Sequence, residues 1–167
     1  MKKSTLWLLL LPILLMAATC ESTQKTPTKP TTTTEETVTE APSSGTMLVK
    51  FTNTDDIDAA LAKAKKTNKA VFIDFYTTWC APCRVMEESV FRDEDVANYL
   101  NDNCISIRVN AEKGKGPDRK LEYAVDAYPT MLVYNANGDE VARKQGSLGI
   151  EAFKEFIKTA VWKAKNP

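Results

Sequence analysis

Residues 47–167 predict an α/β domain with a central mixed β-sheet flanked by helices, and three observations carry that prediction. The first is Val71–Tyr76, a nearly unbroken apolar run of the kind that forms a strand buried on both faces of a sheet. The second is Trp79-Cys80-Ala81-Pro82-Cys83, which follows that run directly and leads straight into a helix-like stretch. The third is Asn137-Gly138 between two short strand-like runs, a strong hairpin signal, with an amphipathic stretch after it. About 120 residues are enough for one such domain with its own core.

In chain order, Met47–Phe51 is expected as a first strand. Asp55–Lys66 has helical spacing: Ile57, Ala60, Leu61 and Ala64 share one face, and Thr54 or Asp55 is the expected cap. After the Val71–Tyr76 strand, a helix is expected from Cys80 to about Val90. Pro82 suits its first turn, where a missing N–H has no partner to lose. Asp93 or Asp95 caps a second short helix through Leu100. Ile105–Val109 alternates as a strand, with Cys104 at its start reading as a small buried apolar residue. Lys113-Gly114-Lys115-Gly116-Pro117 reads as a solvated loop, and a short helix follows at about Asp118–Val125. Thr130–Tyr134 and Glu140–Lys144 are the arms of the hairpin. Glu151–Trp162 closes the domain as an amphipathic helix burying Phe153, Phe156, Ile157 and Ala160, with Trp162 packing as well.

The first third of the 167 residues reads differently. Residues 1–19 combine the basic start Met1-Lys2-Lys3 with an apolar segment, Leu6–Ala18, too short to span a bilayer comfortably and laid out as an export signal. Ala17-Ala18-Thr19-Cys20 resembles a lipobox, so Cys20 is the expected lipidation site; an ordinary cleaved signal and an uncleaved anchor are the alternatives. Two or more acyl chains on Cys20 would hold the protein stably at a membrane. Residues 20–46, rich in Thr, Pro, Ser and Glu, form the expected disordered tether, reaching roughly 85–95 Å at full extension. A lipid-anchored domain on the periplasmic side of a bacterial cell envelope is therefore expected, on a tether that would let it search the periplasm or the cell surface.

Lysine plus arginine and aspartate plus glutamate both number 22, for a formal net charge of zero, and no basic stripe interleaved with aromatics appears. Nucleic-acid binding therefore has no support. The chain has no histidine, which excludes Ser-His and Cys-His nucleophile pairs and histidine-ligated metals. What remains is the cysteine pair. A helix N-terminus offers unpaired N–H groups and a partial positive charge, which stabilise a thiolate. Cys80 is therefore the expected nucleophile, and Cys83, one turn further in, the resolving thiol. A structural disulfide across so short a loop would constrain little chain entropy, and a zinc site would find only Cys104 as a further sulfur ligand. No cofactor and no metal is expected. Asp74, an acid inside an apolar strand, must either rise in pKa or find a partner.

The element order β-α-β-α-β-α-β-β-α, with the cysteine pair after the second strand, resembles the thioredoxin superfamily and its fold. Phe72-Ile73-Asp74-Phe75-Tyr76, Trp79-Cys80-x-x-Cys83, Glu87-Glu88-Ser89-Val90-Phe91 and Tyr128-Pro129-Thr130 look most like the C-terminal periplasmic domain of the thiol–disulfide interchange protein DsbD and related exported lipoproteins. The resemblance implies a protein-disulfide reductase. It makes Asp74 the buried carboxylate that takes the proton of the resolving cysteine, with Arg108 as its partner. It makes Pro129 a cis-proline facing the cysteines, and Trp79, Ala81, Pro82, Tyr128, Pro129 and Thr130 substrate-binding residues, with Trp79 packed over the active-site helix. Pro82 resembles the proline of reducing thioredoxins, whereas Ala81 departs from their glycine. The implied partners are disulfide-containing exported proteins, apocytochromes awaiting haem attachment among them, and a membrane electron donor of the DsbD or CcdA type. A disulfide oxidase or isomerase, and a binding module with idle cysteines, are the alternative readings.

Overall fold

The sheet is built outward from an apolar middle strand. The computed structural model describes residues 47–52 and 54–167, so the expected export signal, Cys20 and the tether all lie outside the described residues. In chain order the elements are β1 (Phe51–Thr52), α1 (Ile57–Thr67), β2 (Ala70–Tyr76), α2 (Ala81–Glu88), α3 (Glu94–Asn103), β3 (Cys104–Asn110), α4 (Gly116–Glu122), β4 (Thr130–Tyr134), β5 (Glu140–Gln145) and α5 (Ile150–Lys165). A 3-10 turn at Val90–Arg92 joins α2 to α3. The strands lie in the order β1-β3-β2-β4-β5. β1, β3 and β2 are parallel, β4 is antiparallel to β2, and β5 is antiparallel to β4. β2 is buried through its first six residues, as a strand without alternation should be when both sheet faces are covered.

Two apolar cores lie on the two faces. Phe72, Met86, Phe91, Leu100, Met131, Phe153 and Ile157 fill one, beneath α2, α3 and α5. Ile57, Ala60, Ala64, Val71, Ile73, Phe75, Ile107 and Leu132 fill the other, beneath α1. In the first core Phe72, Phe91 and Phe153 meet edge to face, with ring centroids 5.7–6.2 Å apart. Such pairs add about 0.5–1.5 kcal/mol each beyond the area they bury. This double cover fixes β2 rigidly, and β2 delivers the cysteine pair.

Several boundaries differ from the sequence reading, each for a local reason. The first strand is only Phe51–Thr52, because the backbone ahead of it is engaged elsewhere. The Leu48 and Val49 N–H groups both donate to the Phe91 carbonyl, and Lys50 N–H donates to Asn101 Oδ1. Asn101 Nδ2 in turn donates to the Leu48 carbonyl. The cap of α1 is Asp56, whose Oδ1 accepts the Ala59 N–H at 3.0 Å; Thr54 accepts from Asp56 N–H, and Asp55 from Lys115 N–H. α2 stops at Glu88, where Ser89 Oγ donates to the Val85 carbonyl at 2.6 Å and competes for the helix's own acceptor. α4 begins at Gly116 inside the expected loop. A Cβ there would lie 1.8 Å from the Asn110 carbonyl oxygen, so only glycine lets the helix start against β3. Lys115 in that loop is not simply solvated but pairs with Asp56 at 3.0 Å.

The hairpin turn is where it was expected. Gly138 takes φ +94°, and Asn135 Oδ1 accepts from both the Asn137 and Asp139 N–H groups at 2.9 Å. α5 buries Phe153, Ile157 and Ala160, while Phe156 is half-buried and Trp162, expected to pack, is 65% exposed. Among the described residues no helix is long and apolar enough to cross a membrane.

Candidate active site

β2 ends at Tyr76, and Thr77, Thr78 and Trp79 turn the chain into α2 with Cys80 as its N-cap. Cys80 has extended backbone (φ −74°, ψ 103°), and its Sγ accepts the Cys83 N–H at 3.1 Å. Sulfur thus stands where a serine or aspartate oxygen usually caps a helix. When Cys80 is reduced, that N–H and the positive end of the helix dipole both favour the thiolate. The two cysteines are closed as a disulfide with a Cα–Cα distance of 5.3 Å. In this oxidised form Cys80 is only 3% exposed, not the open sulfur the sequence suggested, because Sγ is turned back onto the first turn and bonded to Cys83. Ala81 and Pro82, the first two helical residues, are exposed beside it.

Behind the pair lies a buried charge network. Asp74 sits opposite Arg108 in the β2–β3 register, and Arg108 Nε donates to Asp74 Oδ2 at 2.9 Å. Arg108 Nη1 donates to Glu87 Oε2 at 3.0 Å, and the guanidinium lies 4.1 Å from the centroid of the Tyr76 ring. One cation therefore serves two carboxylates. Asp74, 1% exposed, is pushed up by burial; Arg108 opposes that rise and the Glu87 charge adds to it. Arg108 is held above its ordinary value by the two acids despite its own burial. With one positive charge between them, the more buried acid is the one that takes a proton. A cleft of about 470 Å³, lined by Thr77, Cys83, Glu87, Arg108 and Met47, joins this network to the resolving cysteine.

The sequence reading anticipated the Asp74–Arg108 pair but gave Glu87 no role. Its place four residues after Cys83, on the same face of α2, was the available signal.

Across from the cysteines the Tyr128–Pro129 bond is cis. The Pro129 carbonyl accepts Gly146 N–H, and Thr130 Oγ1 donates to the Ala127 carbonyl at 2.7 Å. Pro129 and Thr130 are buried and Tyr128 is half-buried, so Thr130 shapes the turn from within. Trp79 does not pack over α2. It is 64% exposed, meets Tyr128 edge-on at 6.1 Å, and donates from Nε1 to Glu112 Oε1 at 2.9 Å. Glu112 follows β3 and carried no signal in the sequence. Val85, exposed one turn after Ala81 on the same side of α2, adds to the apolar surface near the cysteines and was also missed. Cys104, at the far end of β3, is buried, and burial pushes its thiol up to about 12.

Comparison with known proteins agrees with this geometry. A family described as a thioredoxin-like domain matches residues 57–160. The thiol:disulfide interchange protein DsbD of Vibrio cholerae is 30% identical over 112 residues, 65% of this chain and 18% of that protein. The chain thus spans about a fifth of the length of such relatives. The solution structure of a proposed disulphide-isomerase from Bacteroides thetaiotaomicron is 32% identical with a TM-score of 0.60, covering 70% of this chain and 96% of that one. The oxidised DsbD C-terminal domain of Neisseria meningitidis, at 24% identity and a TM-score of 0.55, shares the fold over 66% of this chain and 97% of its own.

Proposed function

The chain belongs to the thioredoxin-like domain family, and we propose that it is a thiol–disulfide oxidoreductase that works outside the cytoplasm as a lipid-anchored reductant of disulfides in exported proteins. The observation that carries the reading is Cys80 as the N-cap of α2, its sulfur accepting the Cys83 N–H at 3.1 Å. In the reduced enzyme the Cys80 thiolate attacks one sulfur of a substrate disulfide. The substrate bond breaks, a Cys80–substrate disulfide forms, and the other substrate sulfur leaves as a thiolate. Cys83, its proton passed to Asp74, then attacks Cys80 Sγ. The second substrate sulfur leaves as a thiolate, and the enzyme holds the Cys80–Cys83 disulfide. Two electrons have moved from enzyme to substrate.

Around this chemistry, Trp79, Ala81, Pro82 and Tyr128 form the surface that meets substrate, with the Tyr128 backbone pairing with an extended segment as a short added strand. Pro129 and Thr130 hold that backbone in place from beneath. Arg108 and Glu87 set the charge that Asp74 experiences. Cys20 carries the lipid, residues 20–46 are the tether, and a membrane donor of the DsbD or CcdA type returns the electrons. Exported proteins with wrongly formed disulfides, and apocytochromes during cytochrome c maturation, are the substrates that fit.

The test of direction is the dithiol potential against glutathione. A value near the thioredoxin end, about −270 mV, supports the reductant; one near the DsbA end, about −120 mV, overturns it in favour of an oxidant. Likeness to the Bacteroides protein favours an isomerase as the second reading. That reading predicts recovery of activity from scrambled substrates without added reductant.

A further inference from the structure

Opposite the disulfide, the sheet ends in a basic cleft. Lys69 directly precedes β2 and Cys104 opens β3, so this pole is separated from Tyr76 by the length of β2, on the order of 20 Å. A cleft of about 330 Å³ opens there, lined by Lys50, Lys63, Lys69, Asn101 and Ser106, with Asp102 as an acid among its walls. Lys165, at the end of α5, reaches the same corner and donates to Asn103 Oδ1 at 2.8 Å, while Lys69 donates to the Asn101 carbonyl at 3.1 Å.

What sets this pole apart is the gathering of several ammonium groups without acid partners at one corner. Lys115 and Lys154 each pair with acids, but none of Lys50, Lys63, Lys69 and Lys165 forms an ion pair among the described residues. Ser106, 3% exposed, lines the cleft with a buried Oγ that has no hydrogen-bond partner. Trp162, three residues before Lys165 and so on the same helix face, is 65% exposed. Compensation of a helix C-terminus accounts for Lys165 at the end of α5. It accounts for neither Lys50 nor Lys69, which lie outside any helix, nor for an exposed tryptophan.

We propose that this pole is a docking surface for an anionic phospholipid bilayer, with the four ammonium groups on lipid phosphates and Trp162 at headgroup level. Tryptophan favours the membrane–water interface because one part of the ring system is apolar and its N–H is polar. Each lysine close to an anionic leaflet raises membrane partition by about fivefold at low salt. The inference deepens the reading above and rests on it in one respect, that an anchored tether keeps the pole within reach of the bilayer. Docked this way, the domain points Cys80 away from the membrane, toward soluble disulfides, and it undocks on its tether to be re-reduced by the membrane donor.

The test reconstitutes the full chain into vesicles of phosphatidylcholine, with or without phosphatidylglycerol, and acetylates surface amines for readout lysine by lysine. Lys50, Lys63, Lys69 and Lys165 are expected to react about fivefold or more slowly on the anionic vesicles. Lys113 and Lys144 should be unchanged, and high salt should erase the protection. Brominated lipid should quench the wild-type chain more than the W162F variant. A K63Q/K69Q/K165Q variant should lose protection at Lys50 while still reducing disulfides. Equal reactivity on both vesicles, or equal slowing of Lys113 and Lys144, overturns docking. So does equal protection by inorganic phosphate alone, which would assign the cleft to a small anion. In the wild-type chain, absence of protection on anionic vesicles with disulfide reduction intact sinks docking only; lost reduction with protection intact sinks the redox reading only.

Discussion

Cys80 and Cys104 both cap a helix from extended backbone, at opposite ends. Cys80 is the N-cap of α2, facing unpaired N–H groups and the positive end of the helix; Cys104 is the C-cap of α3, at the end where carbonyls and negative partial charge gather. Cys80 joins Cys83 in the disulfide, whereas Cys104 remains a free buried thiol. Burial drives Cys104 up to about 12 even with Lys69 and Lys165 pulling the other way. The same side chain in one sheet is thus a redox centre at one pole and inert filling at the other. The difference lies in which end of a helix it caps and what solvates its anion.

The sharpest way to break this comparison is to remove each sulfur in turn. Cys80→Ser should lower disulfide reduction by roughly 10³-fold or more, the scale on which loss of a nucleophile is felt. Cys104→Ala should leave turnover unchanged. Cys83→Ser should accumulate a mixed disulfide between Cys80 and substrate, visible on non-reducing gels. Comparable activity losses at positions 80 and 104 would end the contrast.

Asp74 supplies the next largest effect, because nothing like it serves Cys104. Asp74→Asn should slow resolution of the mixed disulfide by about 10²-fold, within the range for losing a general base, while initial attack by Cys80 is nearly intact. Its stability should move the other way. The ordinary value is 3.8 and burial raises it in the folded chain, so between those values the folded state keeps a proton the unfolded state has lost. Wild-type stability therefore falls as pH rises through that window, and the cost is fully present above it. The asparagine variant should be the more stable protein at neutral pH, with the advantage fading below pH 3.8, as denaturant titration at several pH values would reveal.

Cys104 carries a smaller, purely thermodynamic signature. Its thiol loses its proton at about 12 when folded against an ordinary 9.0, so the folded state holds the extra proton in that interval. Stability should decline with rising pH there by up to about 1.4 kcal/mol per unit, relative to Cys104→Ala. Identical slopes for the two proteins would show the thiol to be better solvated than its burial implies. In the folded, reduced chain iodoacetamide at neutral pH should label Cys80 and spare Cys104.

The redox pole was largely legible in the sequence because its parts are local. An apolar run, two cysteines spaced one helical turn apart, and a Tyr-Pro pair each signal through neighbouring residues. The register that sets Arg108 against Asp74 was anticipated through family resemblance alone. What stayed hidden depends on distant partners. Glu87 matters because Arg108 arrives from β3, and Glu112 because Trp79 swings outward to meet it. The shortened first strand is of the same kind: Asn101, on α3, occupies backbone groups that the sequence assigned to sheet pairing. Trp162 misled for the opposite reason, since helical periodicity places aromatic residues in cores unless a surface has another use for them.

Glu112 gives the finest distinction, between a residue that does chemistry and one that aims another. Its Oε1 accepts the Trp79 indole N–H at 2.9 Å, and Trp79 leans edge-on against Tyr128. Neither contact touches the sulfurs. Glu112→Ala should therefore leave kcat unchanged and raise KM for a protein substrate by about fivefold, the value of one modest hydrogen bond. Glu112→Gln, which keeps an acceptor at the same reach, should restore most of the loss. Trp79 emission should shift in the alanine variant and return in the glutamine one. A fall in kcat, or no rescue by glutamine, would mean that the carboxylate's charge acts on the cysteines directly. The apolar rim around Cys80 would then be held by Tyr128 alone.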